Sequence, residues 1–232
     1  MESKDVIKIL KSLSSKERRE SSERFGILDN RMLGVSVPDI RKLAKEIGKD
    51  HLLALELWKT EIHEARILAT MIDHPQHVTE EQMDSWIKDF DTWDICDHAC
   101  GNLFDKTPFA YKKAAEWTAR EREYEKRAGF ALIAYLAVHD KKADDKRFLS
   151  FLKLIKQQAE DDRNFVKKAV NWALREIGKR NAALNKAAIE AAKEIKQMKG
   201  AGKWIASDAL RELQSDAVQK RLNKKAIPFR KA

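Results

Sequence analysis

The chain has 232 residues, 43% of them hydrophobic and 36% charged, and its 46 basic and 37 acidic side chains give a formal net charge of +9. This apolar content, with only 8 Gly and 4 Pro, excludes a disordered chain, and no run approaches the roughly 18 apolar residues that span a bilayer. The polar start Met1-Glu2-Ser3-Lys4-Asp5 lacks the apolar core of a signal peptide, so we expect a cytoplasmic protein with no membrane partner.

Helical periodicity runs along almost the whole chain, and no stretch shows strand alternation or an Asn-Gly hairpin. Ser36 with Pro38 is typical of a helix start, and Thr79 with Gln82 is typical of a capping box. We therefore predict an all-α protein of short helices in antiparallel pairs. The predicted breaks are at 14–15, 28–30, 48–50, 74–75, 106–108, 140–141, 161–162, 180–181 and 199–200.

Four predicted helices share a loose theme of a basic residue followed by small and aliphatic residues. They contain 64–69, 126–131, 167–173 and 204–209. The helix of Trp93 lies about 30 residues from both the first and the second of these. Spacings of about 30–40 residues between similar helices favour a superhelical solenoid of helix pairs with a concave surface. We expect one such domain over 1–222 and a flexible basic tail over 223–232, and a compact irregular bundle is the alternative fold.

The positive charge is concentrated towards the end of the chain. Residues 1–139 contain 22 basic and 25 acidic side chains, whereas residues 140–232 contain 24 basic and 12 acidic ones. Such a block favours an anionic partner, with nucleic acid ahead of acidic lipid. A generally solubilising surface is the alternative.

Two helical faces combine tryptophan with charge. Trp93 and Asp97 are four residues apart and share one face, so a carboxylate lies beside an indole. A second stripe sets an indole among cations: Lys168, Trp172, Arg175 and Lys179. This pairing suits a protein that meets a polyanion and stabilises a cation on it. Alternatively, Trp93 is a core indole and Asp97 pairs with an arginine of a neighbouring helix.

The remaining candidates are interpreted as structural. Cys96 and Cys100 lie four apart, which rarely suits a disulfide, and with His98 on another face we predict buried core thiols and no metal site. The His63-Glu64 pair has no partner at metal-ligand spacing and is interpreted as structural. Four tryptophans are assigned to core or inter-helix packing: Trp58, Trp86, Trp117 and Trp204.

Four segments occur in the order and approximate spacing of one family. They are Leu33-Gly34-Val35-Ser36-Val37-Pro38-Asp39-Ile40-Arg41, His63-Glu64-Ala65-Arg66, Trp93-Asp94-Ile95-Cys96-Asp97 and Val170-Asn171-Trp172-Ala173-Leu174-Arg175-Glu176. Over roughly residues 20–215 the chain resembles the AlkD-like DNA alkylation-repair glycosylases. The resemblance implies HEAT-like repeats with a cationic concave groove for duplex DNA. It also implies excision of positively charged N3- and N7-alkylated purines.

By motif position, the family's groove residues correspond to Trp93, Asp97, Arg127 and Trp172. The alkylated base is already a good leaving group, so the Asp97 carboxylate is expected to stabilise the oxocarbenium-like sugar and to orient water. The faces of Trp93 and Trp172 are expected to add cation–π contacts. Phosphates are assigned to Arg127, Lys168, Arg175 and Lys179, although Arg127 could be an ordinary surface cation. One departure is Phe25, which stands where the family has an aromatic with a hydroxyl.

The predicted function is therefore monofunctional hydrolysis of the N-glycosidic bond in base excision repair. We expect a monomer that needs neither metal nor organic cofactor, binds double-stranded DNA containing alkylated purines, and is nucleoid-associated when bound. The main alternative is a non-catalytic repeat protein that binds bent, branched or damaged DNA. A protein-binding scaffold is the third possibility.

Overall fold

The computed structural model describes residues 1–27 and 31–226. These residues form fourteen α-helices and two short 3₁₀ turns, and within them there is no strand. The prediction of an all-α chain is confirmed. Two compact units divide the chain, Met1–Ala110 and Tyr111–Ala232. The break predicted at 28–30 lies outside the described residues.

The first unit is built around its fifth helix. Its helices are α1 Ser3–Ser12, α2 Lys16–Glu23, α3 Val37–Ile47, α4 His51–Lys59, α5 His63–Ile72, α6 Glu80–Trp86 and α7 Trp93–Asn102, with 3₁₀ turns at Ile87–Asp89 and Phe104–Lys106. Helix α5 packs against α3, α4 and α7. Nine of its ten residues are buried, so α5 is the central element on which α7 is positioned.

The predicted helix starts are found, one of them in a modified form. The Ser36 hydroxyl accepts from the Asp39 amide and Pro38 lies in the first turn of α3. At α6 the Thr79 hydroxyl accepts from the Gln82 amide at 3.1 Å. The Gln82 side chain, however, donates to the Asp73 carboxylate at 2.7 Å, so only half of the capping box forms.

Glu64 holds the loop that leads into α3. Its carboxylate is fully buried and accepts from the backbone amides of the three residues 33–35, at distances from 2.6 to 3.1 Å. Gly34 has φ +82°, and a Cβ there would lie 2.1 Å from the Ser15 carbonyl oxygen. The Leu-Gly segment therefore has a structural role, and so does Glu64, as predicted.

Apart from the first of them, the remaining helices form two alternating rows. They are α8 Ala110–Trp117, α9 Glu123–His139, α10 Asp145–Gln157, α11 Asn164–Gly178, α12 Ala182–Ile195, α13 Gly202–Leu213 and α14 Asp216–Ala226. Helix α11 packs against both α9 and α13, while α12 packs against both α10 and α14. Stacked helix pairs of this kind are the unit of a helical-repeat protein. The predicted tail begins inside α14, and residues 227–232 lie outside the described part of the chain.

Three of the four tryptophans assigned to packing are buried. Trp58 and Trp86 stack at 3.8 Å between ring centroids, and Trp117 is fully buried. The assignment of Trp204 is wrong, because 46% of that residue is exposed. Cys96 and Cys100 are fully buried free thiols, as predicted. Within the described residues, no helix is long and apolar enough to cross a membrane.

Candidate nucleic-acid interface

Charge differs sharply between the two units. The first has 16 basic and 21 acidic side chains, and the second has 30 basic and 16 acidic ones. The net charges are therefore −5 and +14. A polyanion is attracted chiefly to the second unit.

Trp93 and Asp97 lie on α7 in the first unit. Both residues are half-buried. Trp93 begins the helix, and its indole N–H donates to the Phe25 backbone carbonyl at 3.0 Å. Because a carbonyl makes this contact, the absent hydroxyl of Phe25 does not affect it. The hydrogen bond orients the Trp93 ring, and Asp97 lies one turn further along the same face.

The other carboxylate of this motif has a different environment. Asp94 Oδ2 lies 2.8 Å from Nε2 of His63, which is fully buried. Burial raises the pKa of Asp94, but the hydrogen bond and charge of His63 outweigh it and hold the pKa below its usual value. Asp94 thus ties α7 to α5, which confirms the structural interpretation of His63.

The cationic stripe of α11 in the second unit is divided into two halves. Towards the helix start, Lys168 is exposed and Trp172 is half-buried. The Trp172 ring meets Tyr135 of α9 edge-on, with 5.0 Å between centroids. Towards the helix end, Arg175 and Lys179 are half-buried, and their surroundings are acidic.

Arg175 and Lys179 share the carboxylate of Glu212, and each of them has one further carboxylate. Arg175 Nη1 lies 2.5 Å from Glu212 Oε2 and 3.8 Å from Asp208 Oδ2. Lys179 Nζ lies 2.7 Å from Glu212 Oε1 and 2.7 Å from Glu176 Oε1. Burial alone would raise the pKa of Glu212, but the hydrogen bonds and charges of Lys179 and Arg175 have the larger effect and hold the pKa below its usual value. The carboxylate therefore stays ionised. A phosphate can reach these cations only by competing with the cluster.

Arg127 is embedded between helices. Only 6% of the residue is exposed, and its Nη1 donates to the Phe165 carbonyl at 2.8 Å. The guanidinium therefore joins α9 to the first turn of α11, which differs from an ordinary surface cation. Its contact with DNA stays a prediction.

Sequence reasoning missed Trp204 at the start of α13. Lys167 Nζ lies 5.9 Å from the centroid of its ring. The signal is the phase of the helix: the buried side of α13 is set by Ile205, Ala206, Ala209 and Leu213. Trp204 precedes this apolar stripe and falls outside it, as its exposure shows.

A family model described as DNA alkylation repair enzyme matches residues 6–213. The chain belongs to this family. It is 23% identical over 167 residues to the uncharacterized protein Lin0241 of Listeria innocua serovar 6a, covering 71% of this chain and 72% of that one. The family match therefore confirms the resemblance that the four sequence segments indicated.

The fold agrees with that assignment. One similar solved structure comes from a protein described as one of a new family related to the HEAT-like repeat DNA glycosylases, with affinity for branched DNA structures. The two chains are 22% identical, with a TM-score of 0.82 over 96% of each. The likeness confirms the predicted all-α HEAT-like fold. Which residues of the repair family member contact DNA or substrate stays a prediction.

Proposed function

We propose that the protein is a monofunctional DNA glycosylase that excises positively charged N3- and N7-alkylated purines from duplex DNA. One observation carries the proposal. On α7 the two carboxylates differ in environment: Asp94 Oδ2 lies 2.8 Å from His63 Nε2, while Asp97 lies half-buried on the same helical face as Trp93. A half-buried carboxylate beside an oriented indole suits a reaction that develops positive charge on a sugar.

Asp97 acts on the sugar and needs no proton to give. As the glycosidic bond breaks, its electron pair moves to the purine, which leaves as a neutral base. The sugar becomes oxocarbenium-like, and the carboxylate stabilises this charge more strongly in a partly dry setting than in bulk water. A water oriented by Asp97 then adds its oxygen to C1′, and its proton passes to solvent.

The two half-buried indoles supply flat, electron-rich faces. Trp93 is fixed by its bond to the Phe25 carbonyl, and Trp172 by its edge contact with Tyr135. Each face in contact with a cationic base or sugar contributes about 0.5–2 kcal/mol, depending on desolvation. Rings that are already held in place lose little conformational freedom on binding.

DNA is held through its phosphates, mainly by the second unit. Lys168 is exposed and ready for this role. Arg175 and Lys179 can take part by exchanging Glu212 for a phosphate, and Arg127 would use donors beyond the one bonded to Phe165. We propose that the protein acts as a monomer on double-stranded DNA, in the cytoplasm and on the nucleoid.

The test compares two variants of the same helix. Release of 7-methylguanine from methylated duplex is measured for the wild type, Asp97→Asn and Asp94→Asn. Asp97→Asn should keep its fold and lose about 100-fold or more in excision rate, the usual cost of removing a group that stabilises developing charge. Asp94→Asn should lose stability, because His63 loses its partner, yet retain excision where it is folded. Equal release by wild type and Asp97→Asn would remove Asp97 from the mechanism.

A second function is favoured by the similar solved structure, whose protein is described as having affinity for branched DNA structures. In this alternative the chain binds distorted or branched DNA and excises nothing. A wild-type protein that binds DNA with a steep salt dependence but releases no methylated base would support it. Indifference to DNA in the same titration would reject both functions.

A further inference from the structure

Trp204 is unusual among the tryptophans of the chain. It is 46% exposed, whereas Trp58, Trp86 and Trp117 are at most 4% exposed and Trp93 and Trp172 are half-buried. An indole is the largest apolar side chain, and leaving it in water has no benefit for the fold. Trp204 lies in the first turn of α13, so the helix backbone fixes where the indole starts from the protein surface.

The surroundings of Trp204 are cationic. Lys203, the preceding residue of α13, is exposed, and the Nζ of Lys167 lies 5.9 Å from the indole centroid. Lys168 is exposed on the neighbouring α11, with its Nζ 5.9 Å from the centroid of the Phe165 ring. Within the described parts of the chain, none of these three lysines has a carboxylate at ion-pairing distance. The nearest acid on the same face of α13 is Asp208, which is already paired with Arg175 and Arg211.

The start of α13 adds to this charge. Helix α13 begins at Gly202, so Trp204 lies in its first turn, beside the positive end of the helix dipole. The buried Asn171 side chain, midway along α11, donates to the Ile205 carbonyl at 3.0 Å and joins α11 to this first turn. Lys167 precedes Asn171 by one turn of α11 and brings its ammonium group to the indole.

We propose that Trp204 is a stacking platform for an unpaired nucleotide beside a duplex, with Lys167, Lys168 and Lys203 binding the adjoining phosphates. In a paired duplex each base is covered by its neighbours, so an exposed indole finds an open base face only at a flap, gap or branch. Stacking on an aromatic tolerates any base. The inference rests on the DNA-binding part of the proposed function and is independent of excision.

The charge pattern favours a nucleic acid over a protein segment as the occupant. A protein contact built on one indole would be expected to neutralise or bury the three lysines, which requires a strongly acidic partner. Phosphates alternate with flat bases along a single strand, and here the ammonium group of Lys167 lies 5.9 Å from the centroid of an exposed ring. Lys168, assigned to a duplex phosphate above, places this platform next to the proposed duplex contacts.

The experiment uses two DNA probes with the full chain. One is a duplex with a short single-stranded flap whose first unpaired base is 2-aminopurine, and the other is the matched, fully paired duplex. Affinity for both is measured at one fixed salt concentration for wild type, Trp204→Leu, Trp204→Phe and Leu149→Ala. Leu149 is a control of similar character, an apolar residue of α10 that is 43% exposed.

The expected result is a loss of flap preference in one variant only. Trp204→Leu should lower the ratio of flap to duplex affinity at least about fivefold, or about 1 kcal/mol at 1.4 kcal/mol per tenfold. Trp204→Phe should keep most of the ratio, and Leu149→Ala all of it. The wild type should quench 2-aminopurine, and Trp204→Leu should not.

An unchanged ratio in Trp204→Leu, or quenching that persists in it, would overturn the platform. Excision of 7-methylguanine from paired duplex is measured on the same samples. If the wild type excises the base but Trp204→Leu leaves the ratio of flap to duplex affinity unchanged, the platform is rejected and the glycosylase proposal stands. If Trp204→Leu lowers that ratio but the wild type excises nothing, the platform stands and the glycosylase proposal is rejected.

Discussion

The Glu212 cluster offers a test of whether Arg175 and Lys179 reach DNA. Three cations, Arg175, Lys179 and Arg211, are paired there with three carboxylates, Glu176, Asp208 and Glu212, so the cluster has no net charge. Glu212 bridges Arg175 and Lys179, at 2.5 and 2.7 Å. Glu212→Gln therefore gives the cluster a net charge of +1 and leaves Arg175 with Asp208 and Lys179 with Glu176.

The effect on DNA binding can be worked from counterion release. Each phosphate contact on duplex DNA contributes a slope of about −0.9 to the plot of log affinity against log salt. If the substitution allows one further contact, the slope steepens by about 0.9 and affinity at 0.1 M salt rises roughly eightfold. Two further contacts would double the change in slope. Binding of unmodified duplex is titrated across a salt series to measure it.

The matched control is Glu194→Gln, which removes the same charge from α12. The Glu194 side chain is 61% exposed and pairs with Lys156 of α10 at 2.7 Å. Glu194→Gln should leave the slope of log affinity against log salt nearly unchanged. An unchanged slope in Glu212→Gln, or equal changes in both variants, would refute the idea that the cluster masks two phosphate-binding cations.

Three further predictions concern the first unit and are read from urea unfolding. Glu64→Gln should destabilise by about 2–4 kcal/mol, because a buried acceptor of several backbone amides loses its charge and one oxygen; a loss under about 1 kcal/mol would contradict this role. Gly34→Ala should cost at least about 2 kcal/mol, since φ is +82° and the new Cβ would lie 2.1 Å from the Ser15 carbonyl, and an unchanged midpoint would disprove it. The pKa of Asp94 is lowered in the folded state, so its contribution is present above the unfolded pKa and lost as pH falls through the folded value. The stability gap between wild type and Asp94→Asn should therefore close as the pH falls below about 4, and a gap that widens in acid would show that the sign is wrong.

Helix boundaries were predictable where a local side chain makes them. Ser36 and Thr79 cap the helices that their spacing indicates, and the turn at Gly48 falls where a glycine permits φ +79°. The sequence gives no such signal for the turn between α4 and α5, which holds neither Gly nor Pro. There Glu61 adopts φ +59°, a left-handed conformation that the residue types of this turn do not predict and that tertiary packing imposes.

The candidate site was predictable only to the level of a helical face. Four-residue spacing places Trp93 with Asp97 because the α-helix fixes that geometry locally. Spacing says nothing about what lies opposite, and the carboxylate that neutralises Arg175 comes from Glu212, 37 residues later. The same limit explains Asp94, whose partner His63 lies 31 residues earlier. Sequence therefore gives the candidates, and tertiary contacts decide which charges are available.

Those contacts give the seam between α11 and α13 two unlike ends. At the end of α11, carboxylates of α13 already neutralise Arg175 and Lys179, so a phosphate gains only the difference between two anions. At its start, neither Lys167 nor Lys168 is ion-paired with a carboxylate among the described residues, and the Lys167 ammonium group lies 5.9 Å from the centroid of the exposed Trp204 ring. DNA should therefore be captured first at the Trp204 end, where no ion pair has to break. DNA phosphates would replace Glu212 on Arg175 and Lys179 only where the duplex is held close to both cations. Tight binding would therefore require the duplex to be correctly placed on the protein.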